Sequence, residues 1–427
     1  MKLRNLKGTK DFLPEEQQLR NKIRNTLEET FQQFSYMPLE TPTICLYDLL
    51  ASKYAGGAEI LKEVYTLKDQ GNRELGLRYD LTVPFAKVIG MNPNLPMPFK
   101  RYEIGKVFRD GPVKTGRSRE FIQCDVDVVG IKSMLAEAEL MSMAFQAFER
   151  LDLDVYISYN NRKLLFGVLS SIGVDEADLG SVVLTLDKVE KIGWDGVKKE
   201  LQEKKIDDPI IDKFYDILNT KKDNILEFFQ NNFDSPLVKE GIEELTELND
   251  YLNSLELLDK VKFNPFLARG LGIYTGTIYE IFLTDGSISS SIGGGGRYDK
   301  IIGGFLNNGT EYPAVGISFG LDVIYTALKM KTESQKTSMI DLLLIPLGTE
   351  KECLKIANTL RKDGLRVEIN MSKRKLNKIL TTANKNNISY VIIIGENEIS
   401  SNEVTIKFMT TGETKKCNIS NIKNTLD

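Results

Sequence analysis

Apolar positions recur at helical spacing near the start of the chain. Between residues 13 and 36, an apolar side chain returns every three or four positions, with polar residues between. These positions are Leu19, Ile23, Leu27, Phe31 and Phe34. The spacing predicts an amphipathic helix. Prolines at positions 38 and 42 predict an extended stretch after it.

Strand-like segments follow this helix and are joined as hairpins. Residues 64–79 predict two strands connected by a turn, and residues 82–89 predict a helix with Pro84 in its first turn. Two further strands are predicted over residues 101–109 and 120–129, with a basic, glycine-containing loop between them. Hairpins with helices packed alongside predict an antiparallel α+β core.

The pattern changes twice further along the chain. From about residue 170 to about residue 260 it is helical and rich in lysine and acidic residues, which predicts a helical insertion. Strands return after the insertion. From about residue 339 strands and helices alternate, which predicts a small α/β domain with a largely parallel sheet. The predicted boundaries are residues 1–330 for the first domain, 331–338 for a polar linker and 339–427 for the second domain.

Composition is that of an ordinary globular protein. The chain is 41% hydrophobic and 27% charged, and its net charge of −4 argues only weakly against a nucleic-acid partner. The N-terminus lacks the apolar region of a signal peptide, and the apolar runs are too short to cross a bilayer. We therefore expect a soluble, cytoplasmic protein with no membrane partner. Four scattered cysteines predict neither a zinc site nor a disulfide framework.

The chain contains no histidine. Ser-His-Asp and Cys-His nucleophile systems, histidine metal sites and imidazole acid–base catalysis are therefore excluded. Any chemistry must depend on carboxylates, arginines, lysines, hydroxyls, a bound metal or groups of the substrate.

Two segments rich in arginine, tyrosine and glycine carry the strongest signal for a ligand site. They are Leu267-Ala-Arg-Gly-Leu-Gly-Ile-Tyr-Thr-Gly-Thr-Ile-Tyr-Glu280 and Ser291-Ile-Gly-Gly-Gly-Gly-Arg-Tyr-Asp299. Arginine binds phosphate or carboxylate through a planar fork of donors, and tyrosine supplies an apolar wall with a polar tip. Glycine lets the backbone approach a ligand closely. The segments predict a pocket for a small anionic ligand with an aromatic part; two hairpin strands with glycine bulges are the alternative.

Charged residues also alternate along the predicted strands. Arg109 lies at the end of one strand, and three polar residues of the next strand share one face because strand side chains alternate. They are Gln123, Asp125 and Asp127. Arg78 and Asp80 show the same spacing. These residues either form a binding surface, in which every buried charge needs a partner, or line a solvated face of the sheet.

In these residues the chain resembles the histidyl-tRNA synthetases, a family of class II aminoacyl-tRNA synthetases, along nearly its whole length. Besides the two segments above, the resemblance rests on Lys7-Gly-Thr-Lys-Asp-Phe-Leu-Pro14, Glu40-Thr-Pro42, Leu77-Arg-Tyr-Asp-Leu-Thr-Val-Pro84, Val107-Phe-Arg-Asp110 and Gly116-Arg-Ser-Arg-Glu-Phe121. It implies a class II antiparallel-sheet catalytic core with a helical insertion, followed by an α/β anticodon-binding domain.

The same resemblance implies a function and the residues that perform it. The protein would activate L-histidine with ATP and transfer it to tRNA(His), as a homodimer, with Mg²⁺ accompanying ATP and no metal site on the protein itself. The implied catalytic residues are Arg109 and Arg269. The implied histidine-binding residues are Asp80, Leu81, Thr82, Gln123, Asp127, Tyr274 and Tyr298. The implied ATP-binding residues are Arg109, Arg117, Arg119 and Arg297.

Three positions depart from the family's pattern. Val323 stands where an arginine that contacts ATP is expected, and Gly272 and Ile273 stand where an aspartate and a tyrosine are expected. A paralogue acting as a regulatory or histidine-binding subunit is therefore the alternative function, against which the second domain and the intact arginine motif argue. Residues 373–375 are basic and are a candidate tRNA contact, with a solvated helix face as the alternative.

The absence of histidine leads to a first prediction. A protein that makes histidyl-tRNA but contains no histidine does not require its own product for its synthesis. We expect ribosomes to cross this message at the same rate in histidine-starved and fed cells, while messages of matched length that contain histidine codons slow down. Ribosome profiling measures both rates. A slowdown equal to that of the matched messages would contradict this hypothesis, whose alternative is that histidine is absent by chance or compositional drift.

Overall fold

The computed structural model describes residues 2–52, 61–113, 118–219, 225–268, 273–331, 338–372 and 374–426. The chain forms two compact units, Met1–Met330 and Lys331–Asp427. Among the helices that the structure describes, none is both long and apolar enough to cross a membrane.

The first unit combines a large sheet with helices on both sides. Its strands are β1 (Met37–Pro38), β2 (Ile44–Leu46), β3 (Thr66–Lys68), β4 (Glu74–Leu77), β5 (Phe99–Phe108), β6 (Glu120–Val129), β7 (Val155–Asn161), β8 (Val261–Phe263), β9 (Thr277–Leu283), β10 (Gly293–Arg297) and β11 (Ala314–Gly320). Its helices are α1 (Pro14–Gln33), α2 (Tyr47–Ser52), α3 (Thr82–Met91), α4 (Leu135–Arg150), α5 (Arg162–Ser171), α6 (Leu179–Leu186), α7 (Val189–Glu203), α8 (Asp208–Asn219), α9 (Ile225–Asn232), α10 (Pro236–Ser254), α11 (Ile301–Leu306) and α12 (Leu321–Lys331). The helices predicted over residues 13–36 and 82–89 are confirmed as α1 and α3, with small shifts at their ends.

The large sheet has eight strands in the order β1-β5-β6-β11-β10-β9-β7-β8. All pairs from β5 to β7 are antiparallel, and only the outermost strands, β1 and β8, run parallel to their neighbours. The antiparallel core predicted from the hairpins is therefore confirmed. The remaining strands form a small antiparallel sheet in the order β2-β4-β3.

One face of the large sheet is apolar and is covered by α1 and α4. Phe319 of β11 lies at its centre, with its ring centroid 5.4 Å from that of Phe31 on α1 and 5.7 Å from that of Phe148 on α4. Ile23 and Leu27 of α1 are fully buried in the same cluster. The apolar positions spaced along α1 thus form its inner face, as an amphipathic helix requires. The opposite face of the sheet carries the polar residues of the candidate site.

Helices α5 to α10 fill the chain between β7 and β8, in the region where the helical insertion was predicted. Two of them, α5 and α10, pack backbone against backbone. A Cβ atom on Gly241 of α10 would lie 2.6 Å from the backbone nitrogen of Leu164 on α5, so glycine is needed for this approach.

The second unit is an α/β structure with a mixed sheet. Its strands are β12 (Leu342–Pro346), β13 (Val367–Ile369), β14 (Tyr390–Ile394), β15 (Glu403–Phe408) and β16 (Thr414–Asn418), and its helices are α13 (Glu350–Lys362), α14 (Leu376–Lys385), α15 (Glu396–Ser401) and α16 (Ile422–Leu426). The sheet order is β13-β12-β14-β15-β16.

The sheet of the second unit corrects one expectation. Strands β13, β12 and β14 are parallel, as predicted, but β14, β15 and β16 pair antiparallel, so the sheet is mixed rather than largely parallel. The start of β15 alternates between exposed and buried side chains, the pattern of an antiparallel strand with one solvated face. The hairpin of β15 and β16 was not predicted from the sequence.

Candidate functional site

The polar face of the large sheet is built by strands β5, β6 and β11. Residues that lie opposite each other on paired strands project to the same side. Asp127 of β6 lies between Arg101 of β5 and Gly316 of β11 in the pairing register. Asp125 in the same way lies between Glu103 and Ser318. The register therefore brings one cation and three carboxylates together on one face.

These charged groups are buried. Asp125 and Asp127 are each 3% exposed, and Arg101 is 0% exposed. Arg78 and Asp80 are also buried. The alternative of a solvated sheet face is therefore wrong, because the helices and loops of the first unit cover these residues. Each buried charge then depends on a partner within the protein.

Arg101 is the partner that the carboxylates share. Its Nη2 atom lies 2.7 Å from Oδ2 of Asp127, and its Nη1 atom lies 3.8 Å from Oε2 of Glu103. Nη2 also donates a hydrogen bond to the backbone oxygen of Leu81 at 3.2 Å. The guanidinium carbon lies 4.3 Å from the centroid of the Phe85 ring on α3, which adds a cation–π contact.

A second buried pair extends this network. Nη1 of Arg78 lies 2.7 Å from Oε1 of Glu103 and donates a hydrogen bond to the backbone oxygen of Thr41 at 2.7 Å. The backbone nitrogen and hydroxyl of Thr41 donate to the same carboxylate. A Cβ atom on Gly105 would lie 2.2 Å from Nη2 of Arg78, so only glycine leaves room for this arginine.

Two tyrosines predicted for the amino-acid pocket lie at the Asp127 end of this face. The hydroxyl of Tyr298 donates a hydrogen bond to Oδ1 of Asp127 at 2.5 Å. The rings of Tyr274 and Tyr298 belong to one buried apolar cluster. A Cβ on Gly316 would lie 1.9 Å from Oδ1 of Asp127, and one on Gly296 would lie 2.9 Å from the Tyr274 ring. These glycines thus make room for functional side chains.

The glycine bulge alternative for the second arginine- and glycine-rich segment is not observed. Strand β10 is paired in regular antiparallel register with β9 on one side and β11 on the other. At Gly295 a side chain is excluded, because a Cβ atom there would lie 1.9 Å from the backbone oxygen of Gly316.

Burial changes the proton affinity of the acids. Desolvation is the main cause that raises the pKa of Asp125 to about 7. The positive charge of Arg101 lowers this pKa, and the negative charge of Asp127 raises it. Desolvation also raises the pKa of Asp127, and Arg101 and the Tyr298 hydroxyl oppose this shift. The pKa of Tyr298 is raised by burial and by the neighbouring Asp127 charge. Tyr298 therefore remains a neutral hydrogen-bonding group at ordinary pH.

The cationic end of the face lies where β5 ends. The Arg109 guanidinium carbon is 4.2 Å from the ring centroid of Tyr79 and 5.0 Å from that of Phe121, and its Nε donates to the Tyr79 backbone oxygen at 3.3 Å. The backbone nitrogen of Arg109 donates to the backbone oxygen of Arg119 at 2.9 Å. Arg119 in turn forms an ion pair with Asp110 at 3.1 Å. Two of the arginines predicted for ATP binding are thus brought together.

Asp80 and Leu81 lie in the connection between β4 and α3, and Thr82 begins α3. Oδ1 of Asp80 accepts a hydrogen bond from the backbone nitrogen of Val83 at 3.0 Å, which satisfies a donor in the first turn of α3. The backbone oxygen of Leu81 accepts from Arg101. These predicted residues therefore adjoin the buried charge network.

Arg297 has a different environment from the other predicted arginines. It projects from β10 to the side opposite Gly296, where its Nε and Nη2 atoms donate to the two carboxylate oxygens of Glu137 on α4, each at 2.7 Å. Nη1 donates to the backbone oxygen of Ile131 at 2.9 Å. This guanidinium is held within the fold, and we leave Arg297 out of the ATP site proposed below.

Several predicted residues lie outside the part of the chain that the structure describes. They are Arg117, Arg269, Gly272 and Lys373. Val323 and Ile273 are described, and both are partly buried against apolar clusters. Within the described residues, no group of three or more cysteine, aspartate or glutamate side chains is arranged to hold a metal ion.

Arg101 and Glu103 were not predicted from the sequence to belong to the site. Their spacing carried a signal, because residues two apart on a strand share a face. Pairing the predicted strand over residues 101–109 with the strand carrying Asp125 and Asp127 places a cation and an acid opposite those aspartates. The register of that pairing was the missing information.

Comparison with protein families finds two matches that together cover most of the chain. The model described as histidyl-tRNA synthetase matches residues 8–324, and the model described as anticodon binding domain matches residues 341–427. A curated protein of Bacillus cereus, named histidine–tRNA ligase 1, is 56% identical over 425 residues, which are 99% of this chain and 97% of that protein. A histidine–tRNA ligase of Clostridium tetani is 38% identical over 95% of this chain and 94% of its own length.

Solved structures give the same result for the fold. The histidyl-tRNA synthetase of a Nostoc species superposes with a TM-score of 0.86 at 29% identity, covering 100% of this chain and 99% of that one. A Bacillus halodurans protein described as an ATP phosphoribosyltransferase regulatory subunit/histidyl-tRNA synthetase superposes with a TM-score of 0.78 at 19% identity, covering 92% of this chain and 98% of that one. The second likeness shows a shared fold alone.

The charge network leads to a stability prediction. Arg101→Met removes the shared cation and leaves buried carboxylates uncompensated, so we expect the free energy of unfolding to fall by about 3–5 kcal/mol at pH 8. The loss should be smaller at pH 5. Desolvation raises the pKa of Asp125 to about 7, so this acid takes up a proton as pH falls from 8 to 5 and part of the uncompensated charge disappears. Urea unfolding followed by fluorescence of Trp194 measures both values.

The matched control is Arg73→Met, which breaks an exposed ion pair with Asp69. We expect it to leave the free energy of unfolding nearly unchanged, because an exposed ion pair is screened by water. An Arg101→Met loss as small as that of the control, or one equal at pH 5 and pH 8, would contradict the assignment of Arg101 as the shared partner.

Proposed function

The chain belongs to the histidyl-tRNA synthetase family, and we propose from this premise that it activates L-histidine with ATP and transfers it to tRNA(His). Relatives that match nearly the full length of the chain are named histidine–tRNA ligases. The alternative of a regulatory paralogue receives no support from these relatives. The protein is therefore a ligase that forms an aminoacyl-tRNA bond.

The order of charges along β5 and β6 is the observation that carries this proposal. Asp125 and Asp127 lie at one end of the polar face, and Arg109 stacks on Phe121 at the other. At about 3.3 Å per residue, Asp125 and Phe121 are separated by about 13 Å of strand. Histidyl-adenylate has the complementary order, an imidazole ring, then an ammonium group, then a carboxyl joined to phosphate.

The imidazole ring would bind at the Tyr298 end. Because the Tyr298 hydroxyl donates to Asp127, its oxygen remains able to accept a hydrogen bond from an imidazole N–H group. Tyr274 would form a wall of the same pocket. A wrong side chain without matching donors would leave these buried polar groups unpaired, which discriminates strongly against it. Asp80, Thr82 and Gln123 would bind the α-ammonium group and nearby atoms.

Activation would occur at the Arg109 end. A carboxylate oxygen of histidine attacks the α-phosphorus of ATP, forming a new O–P bond as the bond to pyrophosphate breaks. No general base is required, because the carboxylate is already ionised at neutral pH. Arg109 and Arg269 would hold the reacting anions in line and stabilise the charge on phosphorus. This chemistry is compatible with a chain that contains no histidine.

The remaining ATP contacts would come from Arg117 and Arg119. Mg²⁺ bound to ATP would neutralise phosphate charge, held mainly by the phosphate oxygens. In the second step, a ribose hydroxyl at the 3′ end of tRNA attacks the carbonyl carbon of the adenylate, and AMP leaves. Val323 offers no cation to the phosphates, so the proposed site relies on the arginines of the β5–β6 loop.

The second unit would hold the anticodon. A groove of about 870 Å³ runs beside β13 and α14, lined in part by Asn370, Ser372, Arg374 and Asn386. Arg374 is exposed, and the amide side chains offer donors and acceptors to unpaired bases. An arginine that lines such a groove can form an ion pair with a phosphate of the RNA backbone.

We propose a homodimer in the cytoplasm as the working form. The outer strand β1 and the nearby strand β2 belong to the region through which the family is expected to dimerise. Met37, Ile44 and Leu46 in these strands are more than half exposed in the single chain. A second copy covering this apolar surface would account for them. Sedimentation velocity should give a species of twice the chain mass.

Pyrophosphate exchange tests the proposed function. We expect the wild-type protein to catalyse ATP–pyrophosphate exchange with histidine and with none of the other amino acids. Arg109→Lys keeps a charge but loses the planar fork, and we expect kcat/KM to fall by about 100-fold or more. The control, Arg73→Lys, alters an exposed arginine and should leave the rate unchanged. Absence of histidine-dependent exchange in the wild type would contradict the proposal and favour the regulatory alternative.

A separate variant tests the anticodon groove. Arg374→Ala should raise the KM for tRNA in the aminoacylation reaction several-fold and reduce its dependence on salt by about one phosphate contact. Pyrophosphate exchange should be unaffected, because it does not involve tRNA. Lys416→Ala, on the opposite edge strand β16, is the control and should leave the KM for tRNA unchanged. Equal effects of the two variants would contradict this placement.

A further inference from the structure

Three buried acceptor atoms on the polar face have no hydrogen-bond partner among the described residues. They are Oε1 of Gln123, Oδ1 of Asp125 and Oδ2 of Asp127. Oδ2 of Asp127 lies 2.7 Å from Nη2 of Arg101 in an ion pair, so the first two atoms are the ones that also lack a close cation. The amide nitrogen of Gln123 donates to the hydroxyl of Ser318 at 3.0 Å, so its oxygen is the atom left without a partner. The two residues share one face of β6, two positions apart, and are separated by about 7 Å along the strand. Buried acceptors without donors are costly, and a donor supplied by a ligand would satisfy them.

The charges around these atoms indicate which ligand group fits. The buried charged residues here are the cations Arg78 and Arg101 and the acids Asp80, Glu103, Asp125 and Asp127. With all of them ionised, the acids outnumber the cations by two. A positively charged group with several N–H donors balances part of this excess, whereas a carboxylate or phosphate would add to it. The α-ammonium group has three such donors.

We propose that Asp125 is a further histidine-binding residue, whose Oδ1 atom accepts a hydrogen bond from the α-ammonium group of the substrate beside Gln123. The inference rests on the proposed function and adds a residue to its amino-acid pocket. Asp125 lies between the Asp127–Tyr298 pair and the Arg109 end along the strand. An ammonium group bound at Asp125 would lie between an imidazole ring at the Asp127–Tyr298 pair and a carboxylate at Arg109.

The electrostatic environment of Asp125 agrees with this role. Desolvation raises the pKa of its carboxyl to about 7, Arg101 and Ser318 act to lower it, and Asp127 and Asp80 act to raise it. Glu103 lies directly opposite on β5. In the ligand-free protein the ionised carboxylate is therefore unfavourable, and an ammonium group would favour the ionised form.

Asp125→Asn tests the proposal with two ligands that separate the ammonium contact from the others. Histidinol has the ammonium group and the imidazole but no carboxylate, and imidazolepropionic acid has the carboxylate and the imidazole but no ammonium. We expect the inhibition constant of histidinol to rise by about 10- to 100-fold, the size of one hydrogen bond between charged groups. The inhibition constant of imidazolepropionic acid should not change.

The control is Glu139→Gln, an acid-to-amide change on α4, which packs on the apolar face of the sheet. It should leave both inhibition constants unchanged. Equal weakening of both ligands by Asp125→Asn would indicate a structural role for Asp125, and no weakening of histidinol would remove it from the pocket. Either result overturns the proposal. If the wild type binds neither histidine nor histidinol, the proposed function itself fails, so the two failures are distinguishable.

Thermal unfolding of the ligand-free protein provides a second test. The folded-state pKa of Asp125 lies above its ordinary value, so the ionised carboxyl lowers stability above about pH 7, and this loss disappears as pH falls through the folded pKa. Asp125→Asn should therefore have a melting temperature at pH 8 equal to or above that of the wild type. A lower melting temperature, or failure of the variant to fold, would show that the carboxylate supports the fold and would contradict the proposal.

Discussion

A guanidinium enclosed by three carboxylates is the interaction on which the site depends. Arg101 is fully buried, contacts Asp127 at 2.7 Å and Glu103 at 3.8 Å, and lies two register positions from Asp125 on the same face. Without this cation, the acids would be neutral or exposed, because a buried carboxylate without a partner takes up a proton. Neighbouring residues enclose Arg101. The Phe85 ring of α3 packs against the guanidinium, and the backbone oxygen of Leu81 accepts a hydrogen bond from it. The same cation that stabilises the fold thus allows negative charge to be held where we propose that a substrate ammonium group binds.

Glycines make this crowded face possible. A side chain at Gly105 would collide with Arg78, and one at Gly316 would collide with Asp127. Strand β10 is rich in glycine for the same reason. A Cβ atom on Gly296 would lie 2.9 Å from the Tyr274 ring. The face is polarised along the strands, with acids at one end and arginines at the other. Under the proposed function, this polarity would orient the substrate histidine by position and charge, without acid–base catalysis by a histidine of the protein.

Local patterns predicted most of the elements and part of the site, and tertiary pairing decided the rest. The alternation of Gln123, Asp125 and Asp127 placed them correctly on one face of a strand. Their burial and their shared partner Arg101 depend on the register with β5, which sequence spacing does not determine. Arg297 was predicted to bind ATP, but it projects to the other side of β10 and pairs with Glu137, a helix residue distant in the chain. The hairpin β15–β16 was not predicted, because the strands and helices that alternate before it in the chain favoured a parallel sheet.

The orientation of histidine along this polarised face can be observed in a crystal structure of the protein with histidine and an ATP analogue that cannot be cleaved. We expect the imidazole against Tyr298 and Asp127, the ammonium group beside Gln123 and Asp125, and the carboxylate at Arg109. A histidine bound in the reverse direction, or with its ammonium group away from the acids, would contradict the proposed orientation.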